Sequence, residues 1–177
     1  MGDGTIRPAT VADVPEILEL VRALAEYERE PGQVEASEAD LSRALFEGAD
    51  TPGGSPAVWG CVVEHAGPNG QRLGGIALWF LTFSTWTGRH GVHLEDLFVR
   101  PELRGRGYGA RLLGSVAQQC AARGYPRLEW SVLTWNSSAI DFYRGLGASP
   151  MDGWVVYRLT GDALGAAAES PGRGSGQ

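Results

Sequence analysis

Three groups of residues have the types and spacing to do chemistry. The first is Arg104-Gly-Arg-Gly-Tyr-Gly109, set between an apolar strand-like run and a long segment of helical periodicity. Backbone N–H groups at a glycine-rich helix start point into open space, and the helix dipole favours an anion there. Gly105, Gly107 and Gly109 let a diphosphate approach the backbone with no Cβ in the way. The amides from Gly105 through Arg106 and Tyr108 to Ala110 would supply the donors. The second group is Glu95 with Asp96, two acids inside the apolar run Leu94–Val99. Neighbouring strand residues face opposite ways, so only one carboxylate points into a given cleft. An acid in so apolar a strand is seldom idle; the plain alternative is a salt bridge to an arginine. The third is Tyr143, on a helical segment after Asn136. A phenol with a pKa of about 10 stays protonated at neutral pH and can donate. Its plain alternative is a core aromatic stacked at helical spacing with Ile140.

The chain has no lysine; all 15 basic residues are arginine. That excludes a G-x-x-x-x-G-K-[S/T] nucleotide loop and any mechanism that needs a lysine. A dinucleotide fingerprint G-x-G-x-x-[G/A] fits formally at Gly105, Gly107 and Ala110, with Glu129 downstream. In that fold the glycines leave the strand directly, whereas here Arg100 to Arg104 intervenes, and the strand–helix unit comes late in the chain. On spacing alone, a glycine turn that merely starts a helix stays open.

The elements that must position these groups follow from periodicity. Thr5–Arg7 predicts a short strand. Thr10-x-x-Asp13 caps a helix from Ala12 to about Tyr27 with Val14, Ile17, Leu18, Val21, Leu24 and Ala25 on one stripe. Ser37-x-x-Asp40 caps a second helix to about Glu47. Strands are expected at Ala57–His65, Leu73–Phe83 and up to Val99, with turns at Ala66–Gly70 and Thr85–Gly91. A crossover helix runs from about Gly107 to Arg123, stopped by Gly124 and Pro126. Arg127–Leu133 is a strand, Asn136 to about Leu146 a helix, and Trp154–Leu159 a last strand. The result is a mixed α/β sheet with helices on both faces. One domain is expected over residues 1–160, followed by a flexible tail at 161–177 whose composition is that of disorder.

Composition narrows the partners. Hydrophobic residues make up 43%, enough for a real core, and no apolar run approaches the roughly 20 residues of a membrane helix. The N-terminus lacks the pattern of a secretory signal. The net charge of −6 makes nucleic acid a poor main partner and suits a small cationic substrate. Cys61 and Cys120 lie in apolar runs, which points to reduced buried thiols and a cytoplasmic protein. His65, His90 and His93 form no metal-ligand arrangement, so no metal is expected.

Arg104, Gly107 and Gly109 spell R-x-x-G-x-G directly after a strand and a short loop. This resembles the GCN5-related N-acetyltransferase (GNAT) superfamily. The likeness extends to IRPAT, LAEYE (Leu24–Glu28), Gln33-Val34, Trp86, LEDLFV, WNSSAIDFYRGLGA (Trp135–Ala148) and Gly153-Trp154. These are similar to the spermidine/spermine and thialysine N-acetyltransferase branch and cover almost the whole chain to about Leu159. The resemblance implies a central, mostly antiparallel twisted sheet with one parallel splayed pair. It implies acetyl-CoA, with Arg104 and the loop at its diphosphate, and Leu97, Phe98 and Val99 offering backbone groups to the pantetheine arm. Asn136, Ser137, Ser138 and Ala139 would lie at coenzyme A further on.

Tyr143 becomes the general acid toward the thiolate, near the cofactor, and Glu95 the group that removes the acceptor's proton. Tyr27, Glu28, Glu95, Glu129, Trp130, Ser131 and Asp152 would form the acceptor pocket, walled by Trp79, Trp86, Trp130 and Trp154. In polyamine-acetylating relatives an acid stands two residues before the tryptophan matching Trp86; here that residue is Ser84, which leaves room for a shorter amine. The implied activity is acetyl transfer to a primary amine of a small molecule, a polyamine or a lysine-like amino acid. Transfer would be direct in a ternary complex, since no cysteine or serine is placed to form an acyl-enzyme. A homodimer is implied as well. The competing readings are an acyl-CoA-binding sensor without turnover, and an acetyltransferase for a protein or peptide amine.

Overall fold

The computed structural model describes residues 4–48, 51, 53–65 and 72–169. Contacts divide the chain into two units, Met1–Leu133 and Thr134–Gln177. The turn expected at 66–70 lies outside the described residues.

The first unit begins with β1 (Thr5–Pro8) and α1 (Val14–Tyr27). The join between them is electrostatic. Asp13, fully buried, accepts from the Thr10 backbone N–H and hydroxyl, both at 2.8 Å, as the capping spacing predicts. The Arg7 guanidinium reaches the same carboxylate from β1 with two bonds of 2.7 and 3.0 Å. One turn later Glu16 accepts the backbone N–H groups of Arg72 (2.8 Å) and Leu73 (3.0 Å). The start of α1 is thereby fixed to both β1 and the first residue of β3 (Leu73–Ser84).

α2 (Glu38–Ser42) opens on the expected Ser37/Asp40 box. It then widens into a π turn, Arg43–Glu47, closed by the Gly48 N–H on the Arg43 carbonyl at 2.8 Å. Gly48 is left-handed (φ 67°), and a Cβ there would sit 2.3 Å from the Ser55 carbonyl carbon, so only glycine fits. After β2 (Val58–Glu64) and β3 come β4 (Arg89–Val99), α3 (Tyr108–Arg123) and β5 (Leu128–Trp130). Gly124 (φ 65°) ends α3 as the sequence indicates.

The strands lie in the order β1-β2-β3-β4-β5. The first three pairings are antiparallel and β4–β5 is parallel. Helices cover both faces. Ile17 and Leu20 of α1 pack with Leu45, Val62, Leu73, Ile76, Leu78 and Phe98. Val63, next to Val62, turns the other way, toward Tyr108 of α3 near Gly4. Leu112, Leu113, Val116 and Cys120 are the buried stripe of α3, while Ala117 and Ala121 of the same periodic pattern stay exposed.

The second unit holds α4 (Ser137–Gly145) and α5 (Gly161–Glu169). Three expectations are corrected. The strand at 127–133 is only Leu128–Trp130 long. Residues 161–169, which composition assigns to a flexible tail, are helical. Trp154–Leu159 forms no strand, and Val155, Val156 and Tyr157 are exposed. Its Val and aromatic content reflects fitness for a half-buried pleated surface, not an intrinsic backbone preference. Without a pairing ladder that content does not make a strand.

Candidate active site

The glycine-rich start of α3 has the geometry of an anion cradle. Gly105 (φ 75°) and Gly107 (φ 77°) are left-handed, and Gly107 is the N-cap with no side chain closing the helix end. A Cβ at either glycine would meet nothing within 4 Å. Glycine is required there by backbone conformation, and the space beside it is open. Arg106 is exposed, and Gly109 and Ala110 sit in the first turn of α3. Tyr108 differs from its loop neighbours. Its ring is buried and its hydroxyl accepts the Gly4 N–H at 2.8 Å, so only its backbone faces the cradle's chemistry. Arg104 donates from Nε to the Val99 carbonyl (3.2 Å). Its guanidinium carbon lies 4.6 Å from the centre of the Tyr27 ring and 5.6 Å from that of Phe98.

β4 runs into this loop, and two irregularities shape it. It pairs with β5 only from Val92 to Leu94. Among the described residues no strand lies along that side of Glu95–Val99, so Leu97, Phe98 and Val99 form an open edge beside the cradle. An extended ligand arm can add there as a strand does. The second irregularity is a bulge. Leu78 and Trp79 are neighbours on β3, yet they oppose Asp96 and Leu94, leaving Glu95 as the extra residue. A bulge re-aims side chains and is common beside active sites. It breaks the strict alternation from which opposite faces follow for Glu95 and Asp96.

Acidic groups collect around the bulge. Glu95 is exposed, its Oε2 3.8 Å from His93 Nε2. Asp96 is half-buried on the α1 face: its opposite residue Leu78 and its strand neighbour Phe98 both belong to the α1 core. Burial first, then the charges of Glu95 and Glu28, push its pKa up to about 6. Glu28, which caps α1 right after Tyr27, is itself pushed up by burial. Glu129 lies across from His93 on β5 and pairs with Arg127 at 3.0 Å. Trp130 is half-buried and Ser131 exposed just beyond. Trp79 is half-buried in β3, and Trp86, in the β3–β4 turn beside half-buried Ser84, is 89% exposed.

Unit one thus brings together Tyr27, Glu28, Glu95, Leu97–Val99, Arg104–Ala110 and Glu129–Ser131. The second unit carries the rest. Asn136 caps α4, its side-chain oxygen accepting the Ala139 N–H at 3.2 Å, with Ser137 and Ser138 between them. Tyr143 is half-buried on α4 beside Phe142, ring centres 5.2 Å apart. Asp152 and Trp154 are exposed after it. Sequence reasoning left Asp96 without a role. Its one visible signal was an acid in an apolar strand; the bulge and the Glu28 charge beside it depend on tertiary register.

The fourth and fifth strands of a mixed sheet thus part beside a glycine-started helix. The chain belongs to the acetyltransferase (GNAT) family, whose model matches residues 18–148. It is similar to a thialysine N-epsilon-acetyltransferase of Bos taurus, 37% identical over 162 residues that cover 90% of this chain and 94% of that protein. An L-ornithine N5-acetyltransferase of Arabidopsis thaliana is 31% identical, covering 90% of this chain and 85% of its own. Among solved structures, an integron cassette protein of V. cholerae superposes with a TM-score of 0.74 at 24% identity, covering 96% of this chain and 100% of that one. That likeness carries the fold alone. As a member of this family the chain is an N-acetyltransferase.

Proposed function

We propose that the enzyme moves the acetyl group of acetyl-CoA to a primary amine of a small cationic molecule, a polyamine or a lysine-like amino acid, directly in a ternary complex. The observation that carries this reading is one continuous segment. The open edge Leu97–Val99 leads into an uncapped glycine cradle at one end and to acidic side chains at the other. The cradle fits a diphosphate, because its first-turn amides have no side-chain cap and its glycines leave space. Bound acetyl-CoA supplies the thioester. The names of the bovine and Arabidopsis relatives, acting on thialysine and ornithine, support a short amino-acid-like acceptor. Ser84 in place of an acid supports the same choice.

An ammonium has no lone pair, so the acceptor must first lose a proton; Glu95 takes it, directly or through a water. The neutral nitrogen then attacks the thioester carbonyl. A C–N bond forms, the C–S bond breaks, the departing thiolate takes a proton from the Tyr143 phenol, and the second proton lost by the acylated nitrogen restores that phenol. The net change is one acetylated amine, one free thiol and one proton released. Asn136 and the start of α4 serve the cofactor in this reading, and Tyr27, Glu28, Glu129–Ser131 and Asp152 the acceptor. A homodimer in the cytoplasm belongs to the same proposal, supported by the branch resemblance and by two buried free thiols, Cys61 and Cys120. Among the described residues, no helix is long and apolar enough to cross a membrane.

Thiol release measured over a panel of amines, including thialysine, ornithine and spermidine, tests the proposal. Release above background with at least one small amine is expected. Coenzyme A binding with no amine-dependent thiol release would overturn it.

A further inference from the structure

A glycine cradle binds an anion well only if its amides are held still, and the chain around it offers few means of holding them. From Arg104 to Arg111 every residue is exposed or half-buried except Tyr108. Gly105 and Gly107 bring left-handed backbone and no side chain. Gly109 and Ala110 are too small to anchor a turn, and Arg111 is exposed. The next large buried residue of α3 is Leu112, one turn further on. Tyr108 is therefore the one side-chain anchor of the first turn of α3.

Its anchorage is specific. The hydroxyl accepts the Gly4 N–H at 2.8 Å in a buried setting. Gly4 lies just before β1, whose first residue, Thr5, pairs with Glu64 of β2. The approach is close. A Cβ on Gly4 would stand 2.9 Å from Val63 Cγ1, 3.0 Å from the Glu64 carbonyl oxygen and 3.1 Å from the Tyr108 hydroxyl. A side chain at position 4 would thus push the strand start off the hydroxyl. Any apolar ring would fill the space; the hydroxyl adds a bond of defined length and direction. A buried N–H left without its acceptor is costly, so the bond ties the helix start to the strand start.

We propose that the Tyr108 side chain positions the cofactor site: anchored on Gly4, it holds the first-turn amides of α3 where a diphosphate meets them, and a bound diphosphate in turn steadies the start of β1. The inference rests on the acetyl-CoA reading of the cradle and adds to it a side chain that touches neither substrate. Donors fixed in advance bind an anion without the cost of ordering the turn first. By linkage, whatever affinity the anion gains from an ordered turn returns as stability of the Gly4–Tyr108 bond.

The test uses the full chain with coenzyme A, which carries the diphosphate and no acetyl group. In the wild type, saturating coenzyme A should slow deuterium exchange at the Gly4 amide by about threefold or more; exchange that coenzyme A leaves unchanged overturns the inference without any variant. Tyr108→Phe keeps the ring against Arg111 and His65 and removes the hydroxyl. Its Kd for coenzyme A should rise by about two- to tenfold, the range for one neutral hydrogen bond. KM for acetyl-CoA should rise alike, with kcat and the amine KM within about twofold of wild type. Gly4→Ala breaks the same bond from its other end and should reproduce that split. The double variant should be no worse than the worse single one, because all three lose one bond. A merely structural hydroxyl would lower the melting temperature and leave coenzyme A affinity alone, and that result overturns the inference, as do losses that add in the double variant. Gly107→Ala separates this inference from the reading beneath it. Coenzyme A affinity unmoved by Gly107→Ala removes the cradle itself; affinity weakened by Gly107→Ala and unmoved by Tyr108→Phe removes this inference alone.

Discussion

Asp13→Asn should destabilise the fold by about 2 to 4 kcal/mol at neutral pH, and the loss should be pH-dependent. Asp13 is fully buried and is bound by Arg7 at 2.7 and 3.0 Å and by Thr10 at 2.8 Å twice. The side-chain bond from Arg7 lowers its pKa most, with help from Thr10 and against the cost of burial, from 3.8 to about 2. A carboxyl held lower in the folded state contributes stability above its unfolded pKa, and that stability is lost as pH falls through the folded value. Between 3.8 and about 2 the difference is worth about 2.4 kcal/mol. The remainder comes from leaving the Arg7 charge without its partner. Arg7 stays charged throughout, so the pH window belongs to Asp13. The assay is urea unfolding of wild type and Asp13→Asn from pH 7 down to about 2. The gap should be constant above about pH 5 and narrow steadily between about pH 4 and pH 2. At neutral pH the melting temperature should drop by roughly 4–16 °C, given about 2–4 °C per kcal/mol for a chain of this size. A neutral-pH loss below about 0.5 kcal/mol, or a gap that ignores pH over that window, would refute the reasoning.

Two further outcomes concern catalysis. Gly107→Ala should strain a left-handed N-cap by about 1–2 kcal/mol and weaken acetyl-CoA binding more than amine binding; isothermal titration with coenzyme A reads it, and an unchanged affinity contradicts the cradle. Tyr143→Phe should lower kcat by roughly a hundredfold or more while leaving acetyl-CoA affinity within about twofold; an unchanged kcat removes Tyr143 as the acid.

The geometry of the glycine loop was legible from sequence because its requirements are local. A left-handed glycine, a helix start and a proline just after a strand each show in single residues, and Gly105, Gly107 and Pro101 stand where the chain needs them. The caps at Thr10/Asp13 and Ser37/Asp40 were legible for the same reason. The acidic bulge, where the proposal puts the acceptor, was only half legible. Glu95 and Asp96 could be flagged as acids in an apolar strand, but their orientation depends on a register shift between β3 and β4, which no local pattern encodes. The π turn at Arg43–Glu47 escaped notice because its amphipathic spacing still looks α-helical over one turn. Trp154–Leu159 misled in the opposite direction: a strand-like composition without a partner to make it one.

Arg104 gives the two ends of the site a common part. It stands in the glycine loop, yet its guanidinium rests on the ring of Tyr27, the residue before Glu28. In the proposed site, free energy used by acetyl-CoA to shift or fix that guanidinium would be felt at Tyr27, where the proposed acceptor side begins. Linkage makes the effect reciprocal: the factor by which acetyl-CoA changes amine affinity is the factor by which the amine changes acetyl-CoA affinity. In that proposal the coupling runs through one side chain, and binding cooperativity, compared between wild type and Arg104→Gln, is its measure.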